Sequence, residues 1–215
     1  MLTLYYTPGA CSLAAHIVLE ESGEPYQAQV VDMAKGEQRS ESYLQLNPQG
    51  RVPALRLDDG EALTENTAIL PYLGKRFGLW PSEPLAESRA LSLIGFFAAS
   101  VHPAHAHVGR PERYATDPAA YPTIKEAGLK SFHGYLKQID GMLAGREWFS
   151  DRYSVLDAYG LVFYAWGFRR ELPMQELKNY SALKDRMLQR PAVRRVAVEE
   201  KLAMARDLPN IVAAS

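Results

Sequence analysis

The residue with the most reactive chemistry in this chain occurs once. Cys11 follows the turn Thr7-Pro8-Gly9-Ala10 and stands at the start of a predicted helix. Free backbone N–H groups and the helix dipole favour a thiolate at such a position. A lone cysteine also packs well as a small buried hydrophobe, so residue type alone leaves a reactive and a structural reading open. It cannot form an internal disulfide, which points to a reducing, cytoplasmic setting. Ala14 stands three residues on, where a dithiol protein carries its second cysteine. Cys11 therefore cannot resolve a mixed disulfide within this chain, and redox turnover needs an external thiol. The same position could instead hold and activate a small external thiol. A second chemical cluster is His102, His105 and His107. Pro103 interrupts its helical spacing, and no cysteine or repeated carboxylate completes a zinc shell, so no metal is expected.

The elements around Cys11 alternate. Leu2–Tyr6 reads as a short strand broken by Thr7-Pro8-Gly9, and Cys11–Ser22 as a helix ended by Gly23. Gln27–Val31 is a second strand, and Ser40–Leu46 is weakly helical. Asn47-Pro48-Gln49-Gly50 forms a turn, and the runs on either side of Asp59-Gly60 form a hairpin. Glu65–Phe77 is helical, with Pro71 inside it. The helix between the first two strands lets them run parallel, and the hairpin adds antiparallel pairing. The expectation is an α/β domain with a mixed four-stranded sheet. A strand, a Pro-Gly turn, a cysteine and a helix also form the redox-site arrangement of a thioredoxin-like unit.

Beyond Gly78–Pro84, which reads as a linker, strand signals fade. Ala86–His102, Pro122–Leu143, Ser154–Phe168, Leu177–Gln189 and Ala192–Arg206 carry helical patterns. Ser154-Val155-Leu156-Asp157 is a variant capping box. The expected division is residues 1–78, a linker at 79–85, and an all-helical domain over 86–215.

Composition narrows the function classes. Of 215 residues, 47% are hydrophobic and 23% charged, ordinary values for a globular chain. Lys plus Arg is 24 against 25 Asp plus Glu, so the basic excess of a nucleic-acid binder is missing. No apolar run approaches the ~18–20 residues of a membrane span, and Met1–Tyr6 does not read as a secretory signal.

Five stretches, in order, resemble the glutathione S-transferase family, and more narrowly its bacterial beta class. Leu4–Leu13, continuing through His16-Ile17-Val18-Leu19-Glu20, looks like that class's first strand and helix. Asn47–Leu55 looks like the loop carrying the family's cis-proline, here Pro53. Leu63–Leu70 looks like the motif that binds the glutathione carboxylate. Phe149–Tyr159 resembles the capping-box region, with Gln189–Val193 as the late arginine-proline turn.

The resemblance implies a thioredoxin-like domain followed by an all-α domain, glutathione as co-substrate, and a homodimer. It also assigns residues. Val52 would pair its backbone with the cysteinyl part of glutathione beside Pro53. Glu65 would face the γ-glutamyl ammonium, and Asn66 the γ-glutamyl carboxylate through backbone and side-chain donors. Lys35 would meet the glycine end. His102 would lie near the sulfur, with Tyr114 and Trp166 beside a hydrophobic electrophile. The chain departs from the class at Asn66, usually serine, at Pro103, usually lysine, and at Gly95, usually asparagine.

A free thiol has a pKa of about 8.5, and lowering it by two units takes about 2.7 kcal/mol. A helix N-terminus supplies ~0.3–1 kcal/mol. A positioned donor is therefore required, with Cys11 first, His102 second, and Tyr6 and Ser12 behind them. The implied function is glutathione transfer to an electrophile, with a role in detoxification. The alternatives are a thiol-disulfide oxidoreductase or dehalogenase working through a Cys11 mixed disulfide, or a non-catalytic binding module.

Overall fold

A computed structural model describes residues 1–206. Strand β1 (Leu2–Tyr6) lies inside a four-stranded sheet of order β2-β1-β3-β4. It pairs in parallel with β2 (Tyr26–Val30), because helix α1 (Leu13–Ser22) carries the chain back across the sheet. Strand β3 (Ala54–Arg56) runs antiparallel to β1, and β4 (Ala62–Thr64) antiparallel to β3. Gly60, at φ +93°, supplies the backbone that the hairpin turn needs. The pleat sorts the side chains of β1. Leu2, Leu4 and Tyr6 join the main core, while Tyr5 packs with Val31, Tyr43 and Val52 on the other face.

Helix α2 (Glu41–Leu46) is capped by Ser40, whose hydroxyl accepts from the Tyr43 N–H at 3.3 Å. Helix α3 (Asn66–Arg76) passes through Pro71 and is followed by a turn at Gly78. From residue 84 onward the described chain is helical. Helix α4 (Pro84–Phe96) runs through a wide π turn, Phe97–Val101, into α5 (His102–Gly109). The sequence pattern placed the helix end at His102. The π turn carries it onward, because a wider turn accommodates the missing N–H and the ring of Pro103.

Helix α6 (Tyr121–Met142) packs along α5, and α7 (Val155–Arg169) is buried on nearly every side. A helix apolar all round belongs at the centre of its bundle. Gly160 permits this, since a β-carbon there would sit 2.5 Å from the Phe149 ring. The capping box forms: Ser154 N–H donates to Asp157 Oδ2 at 2.8 Å, and Leu156 N–H to Ser154 Oγ at 3.3 Å. Helices α8 (Lys178–Gln189) and α9 (Pro191–Glu199) follow. The expected helix over Ala192–Arg206 stops at Glu199. Lys201 takes a positive φ of +54°, and the break lets the side chain of Glu200 turn into the core. Among the described residues, no helix is long and apolar enough to cross a membrane.

Candidate active site

One cavity of about 590 Å³ opens between the sheet domain and α5 and α7. Its size falls within the ~300–1,000 Å³ of small-molecule sites. Cys11, Val52, Pro53, Glu65, Asn66, His102, Tyr114 and Trp166 all line it. Tyr6, Ser12 and Lys35 do not.

The loop from Thr7 to Ser12 is tied on all sides. The Ser12 hydroxyl accepts from the Thr7 N–H at 3.2 Å and lies 3.3 Å from the Thr7 carbonyl, closing the turn. That bond, and the complete burial of Ser12, hold its hydroxyl away from the cavity. Gly9 takes φ +69°, which a β-carbon would strain. Its N–H donates to Glu200 Oε2 at 2.8 Å, and its carbonyl accepts from Trp166 Nε1 at 2.9 Å. Glu200 in turn meets His16 Nδ1 through Oε1 at 2.7 Å, with both side chains fully buried. The peptide two residues before Cys11 is thus clamped by two residues of the helical domain.

Cys11 itself is buried, and its thiol donates to the Val52 carbonyl at 3.3 Å. Burial first, then the Glu65 carboxylate, push its pKa up to about 12. The helix start was expected to favour a thiolate. Here desolvation and a nearby negative charge outweigh the dipole, so Cys11 is a neutral thiol at neutral pH.

The second loop is fixed as firmly. The Arg51 carbonyl accepts from the Tyr43 hydroxyl and from Asn47 Nδ2, each at 2.7 Å. The Val52–Pro53 peptide is cis. Glu65, the residue before α3, adopts φ +68° and ψ 131°, a conformation that costs a non-glycine residue ~1–3 kcal/mol. Asn66 is buried, and its Nδ2 donates to the Cys11 carbonyl at 2.9 Å. Its side-chain donor, expected to face a ligand, therefore holds the cysteine's peptide, which leaves the N–H groups of α3's first turn for a ligand.

On the helical wall, the Trp166 ring stacks on His105 at 4.1 Å between centroids and meets the edge of His102 at 4.9 Å. His107 stacks on Tyr114 at 3.7 Å. Burial, then Arg51, Arg110 and Arg113, hold His102 down to about 4. Burial, then Arg170 and Arg169, hold His105 down to about 3. Both rings are neutral near pH 7. Among the described residues, no three His, Cys, Asp or Glu side chains come together as metal ligands.

The Tyr6 hydroxyl is spent elsewhere. The pleat turns it into the core, where it donates to Glu199 Oε1 at 3.1 Å. Burial and that carboxylate push its pKa to about 12. Lys35 stands on an exposed loop and pairs with Asp32 at 3.3 Å. The geometry in turn adds residues that the sequence reading passed over: Tyr159, Arg51, Arg110, Arg113, Arg169 and Arg170 line the cavity. The arginines carried only a weak signal, as basic residues near helix ends.

Comparison with known proteins agrees with this arrangement. The model of the glutathione S-transferase N-terminal domain matches residues 9–76. Glutathione S-transferase GstA of Escherichia coli O157:H7 is 33% identical over 89% of this chain and 95% of its own length. A glutathione transferase homologue from Sulfitobacter, solved with bound glutathione, superposes with a TM-score of 0.86 at 32% identity, covering 94% of this chain and 98% of its own. A beta class enzyme from Sphingomonas chungbukensis gives 0.81 at 33% identity, covering 93% of this chain and 99% of its own. With a thioredoxin-like sheet, a cis-proline loop beside the cysteine and likeness over nine-tenths of its length, this chain belongs to the glutathione S-transferase family.

Proposed function

We propose that this cavity binds glutathione with its cysteinyl backbone along Val52 and its sulfur beside Cys11, and readies that sulfur to attack an electrophilic small molecule. The observation that carries this reading is the 3.3 Å contact between Cys11 Sγ and the Val52 carbonyl. A peptide strand added at Val52 necessarily lies over the cysteine. Glu65 supplies the anion for the γ-glutamyl ammonium, and the N-terminus of α3 at Asn66 supplies N–H groups for the neighbouring carboxylate. The glutathione held by the Sulfitobacter homologue supports the same ligand here.

Cys11 acts as a donor, not as the attacking group. Its thiol keeps its proton at neutral pH, so it can turn from the Val52 carbonyl to the glutathione sulfur. A hydrogen bond to a charged acceptor contributes ~1.5–3 kcal/mol, enough with the field of Arg51 and Arg110 to reach the ~2.7 kcal/mol the ionisation requires. Neutral His102 is the second donor. A Cys11 mixed disulfide, by contrast, needs the thiolate that burial and Glu65 disfavour. In this reading residues 1–78 bind glutathione, 79–85 link, and 86–215 carry the electrophile pocket around Tyr114 and Trp166. The protein works as a cytoplasmic homodimer in detoxification.

The test is calorimetric titration with glutathione, followed by conjugation of an aryl halide. Glu65→Gln is expected to weaken glutathione binding by more than ~1 kcal/mol. Cys11→Ser, which keeps a donor, retains more activity than Cys11→Ala. An unchanged affinity in Glu65→Gln, or a glutathione adduct on Cys11 during turnover, rejects these roles.

A further inference from the structure

The cavity holds five arginines, Arg51, Arg110, Arg113, Arg169 and Arg170, against a single carboxylate, Glu65. Carboxylates are not scarce in this chain, which carries 25 acidic residues against 24 basic ones. Arg76, Arg190 and Arg195 all find acidic partners. None of the five cavity arginines forms an ion pair with a carboxylate among the described residues. Their contacts are neutral. Arg170 Nε donates to His105 Nε2 at 3.4 Å, and Arg110 Nη2 lies 3.9 Å from Met33 Sδ. Gly109 leaves space for the guanidinium of Arg170, whose Nη2 would lie 2.9 Å from any β-carbon there.

Arg110 closes α5 and Arg169 ends α7. The helix dipole favours cations at each of these ends. It does not account for two basic helix ends emptying into one cavity, where their charges repel. Glutathione alone does not balance them either. With Arg51 and Arg110, whose charges act on Cys11 at the expected sulfur position, left to glutathione, Arg113, Arg169 and Arg170 remain. Next to them stands the aromatic wall of His102, Trp166 and His105, whose imidazoles add no competing charge at neutral pH.

We propose that the second substrate is an anion: an electrophile with a planar or apolar body set against the His102–Trp166–His105 wall and a carboxylate or sulfonate held by Arg113, Arg169 and Arg170. This rests on the reading of the cavity as a glutathione site and names the substrate class that site selects. A paired guanidinium fork and carboxylate form a strong, directional contact in a partly desolvated cavity.

The experiment compares 4-chloro-3,5-dinitrobenzoate with its methyl ester. Both react at the same carbon: the glutathione sulfur bonds to it, chloride leaves with the C–Cl electron pair, and the thiol proton passes to solvent. Each kcat/KM is divided by the uncatalysed rate with glutathione, which removes the ester's greater intrinsic reactivity. The acid is expected to exceed the ester by about tenfold at low ionic strength, and by less as salt rises. Arg113→Gln and Arg169→Gln, both at exposed positions, each lower the acid's value by about fivefold and leave the ester within about twofold. Titration with the two preformed glutathione conjugates gives the same comparison without turnover. Equal values for acid and ester, or variants that depress both alike, overturn the proposal while the glutathione site stands. Failure of glutathione itself to bind overturns the underlying reading and this one with it.

Discussion

The two walls of the cavity are made of different materials. The sheet-domain wall is largely backbone. Gly9 is clamped at both its N–H and its carbonyl, Arg51 is held by its carbonyl, the Val52–Pro53 peptide is cis, and Glu65 takes an unusual φ. Its loops are tied by their own peptides and side chains, with Asn66 Nδ2 donating to the Cys11 carbonyl, while Asn66 Oδ1 is buried without a hydrogen-bond partner among the described residues. The helical wall is side chains: neutral imidazoles, an indole and guanidinium groups without acidic partners among the described residues. A wall of tied peptides can present only one ligand backbone geometry. A wall of long side chains can be retuned by substitution without disturbing the fold. Under the proposed function this divides the labour: the sheet-domain wall recognises the constant tripeptide, and the helical wall selects the variable partner.

The sharpest break to this comparison lies at Glu200. It belongs to the helical domain yet holds the sheet-domain loop through Gly9 and His16. Glu200→Ala strands a buried histidine and a buried N–H, so thermal or urea unfolding should show a loss of about 3–5 kcal/mol. A loss under about 1 kcal/mol means that the loop is rigid without the clamp. Next in size is the reactivity of Cys11. With burial and Glu65 holding it near 12, alkylation by iodoacetamide at pH 7 should run at least ~100-fold slower than that of a free small thiol. A rate matching the free thiol would make the cysteine a thiolate and reinstate it as a nucleophile.

The third effect is a pH dependence of the helical wall. His102 and His105 titrate in the folded protein at about 4 and about 3, below their ordinary 6.5. The folded state therefore favours the neutral rings. The stability this gives is present above about pH 6.5 and drains away as pH falls toward 4. His102→Asn should flatten the acid limb of stability against pH by up to roughly 2 kcal/mol between pH 7 and pH 4. An unaltered limb assigns the acid sensitivity to other groups. The smallest effect belongs to Lys35, which lies outside both walls and pairs with Asp32. Lys35→Ala should leave glutathione affinity within about twofold, since an exposed ion pair of this kind carries little energy. A larger change would bring its loop into the site.

Most of the sheet-domain wall was legible in the chain because its determinants are local. A Pro-Gly turn before a cysteine, an Asn-Pro-Gln-Gly turn before Val-Pro and a polar pair at a helix start each announce themselves within a few residues. The helical wall was legible only as helices. Pro103 reads as a breaker, yet the π turn over Phe97–Val101 carries the helix past it and brings His102 and His105 onto Trp166. Tyr6 and Ser12 have the right chemistry beside Cys11 in sequence, but the pleat and a closed loop turn their hydroxyls elsewhere.

The amino-acid sequence by itself determined the order of elements, the α/β-then-helical plan and the place of Cys11 at a helix start, since short-range periodicity and turn chemistry encode these, while the resemblance of its motifs to a known family marked Val52, Pro53, Glu65 and Asn66. Only the tertiary structure decided that Cys11 stays protonated, that Glu200 and Trp166 clamp its loop, and that five arginines share one cavity. Each of those outcomes depends on burial and on distances between residues far apart in the chain, and no local pattern carries that information.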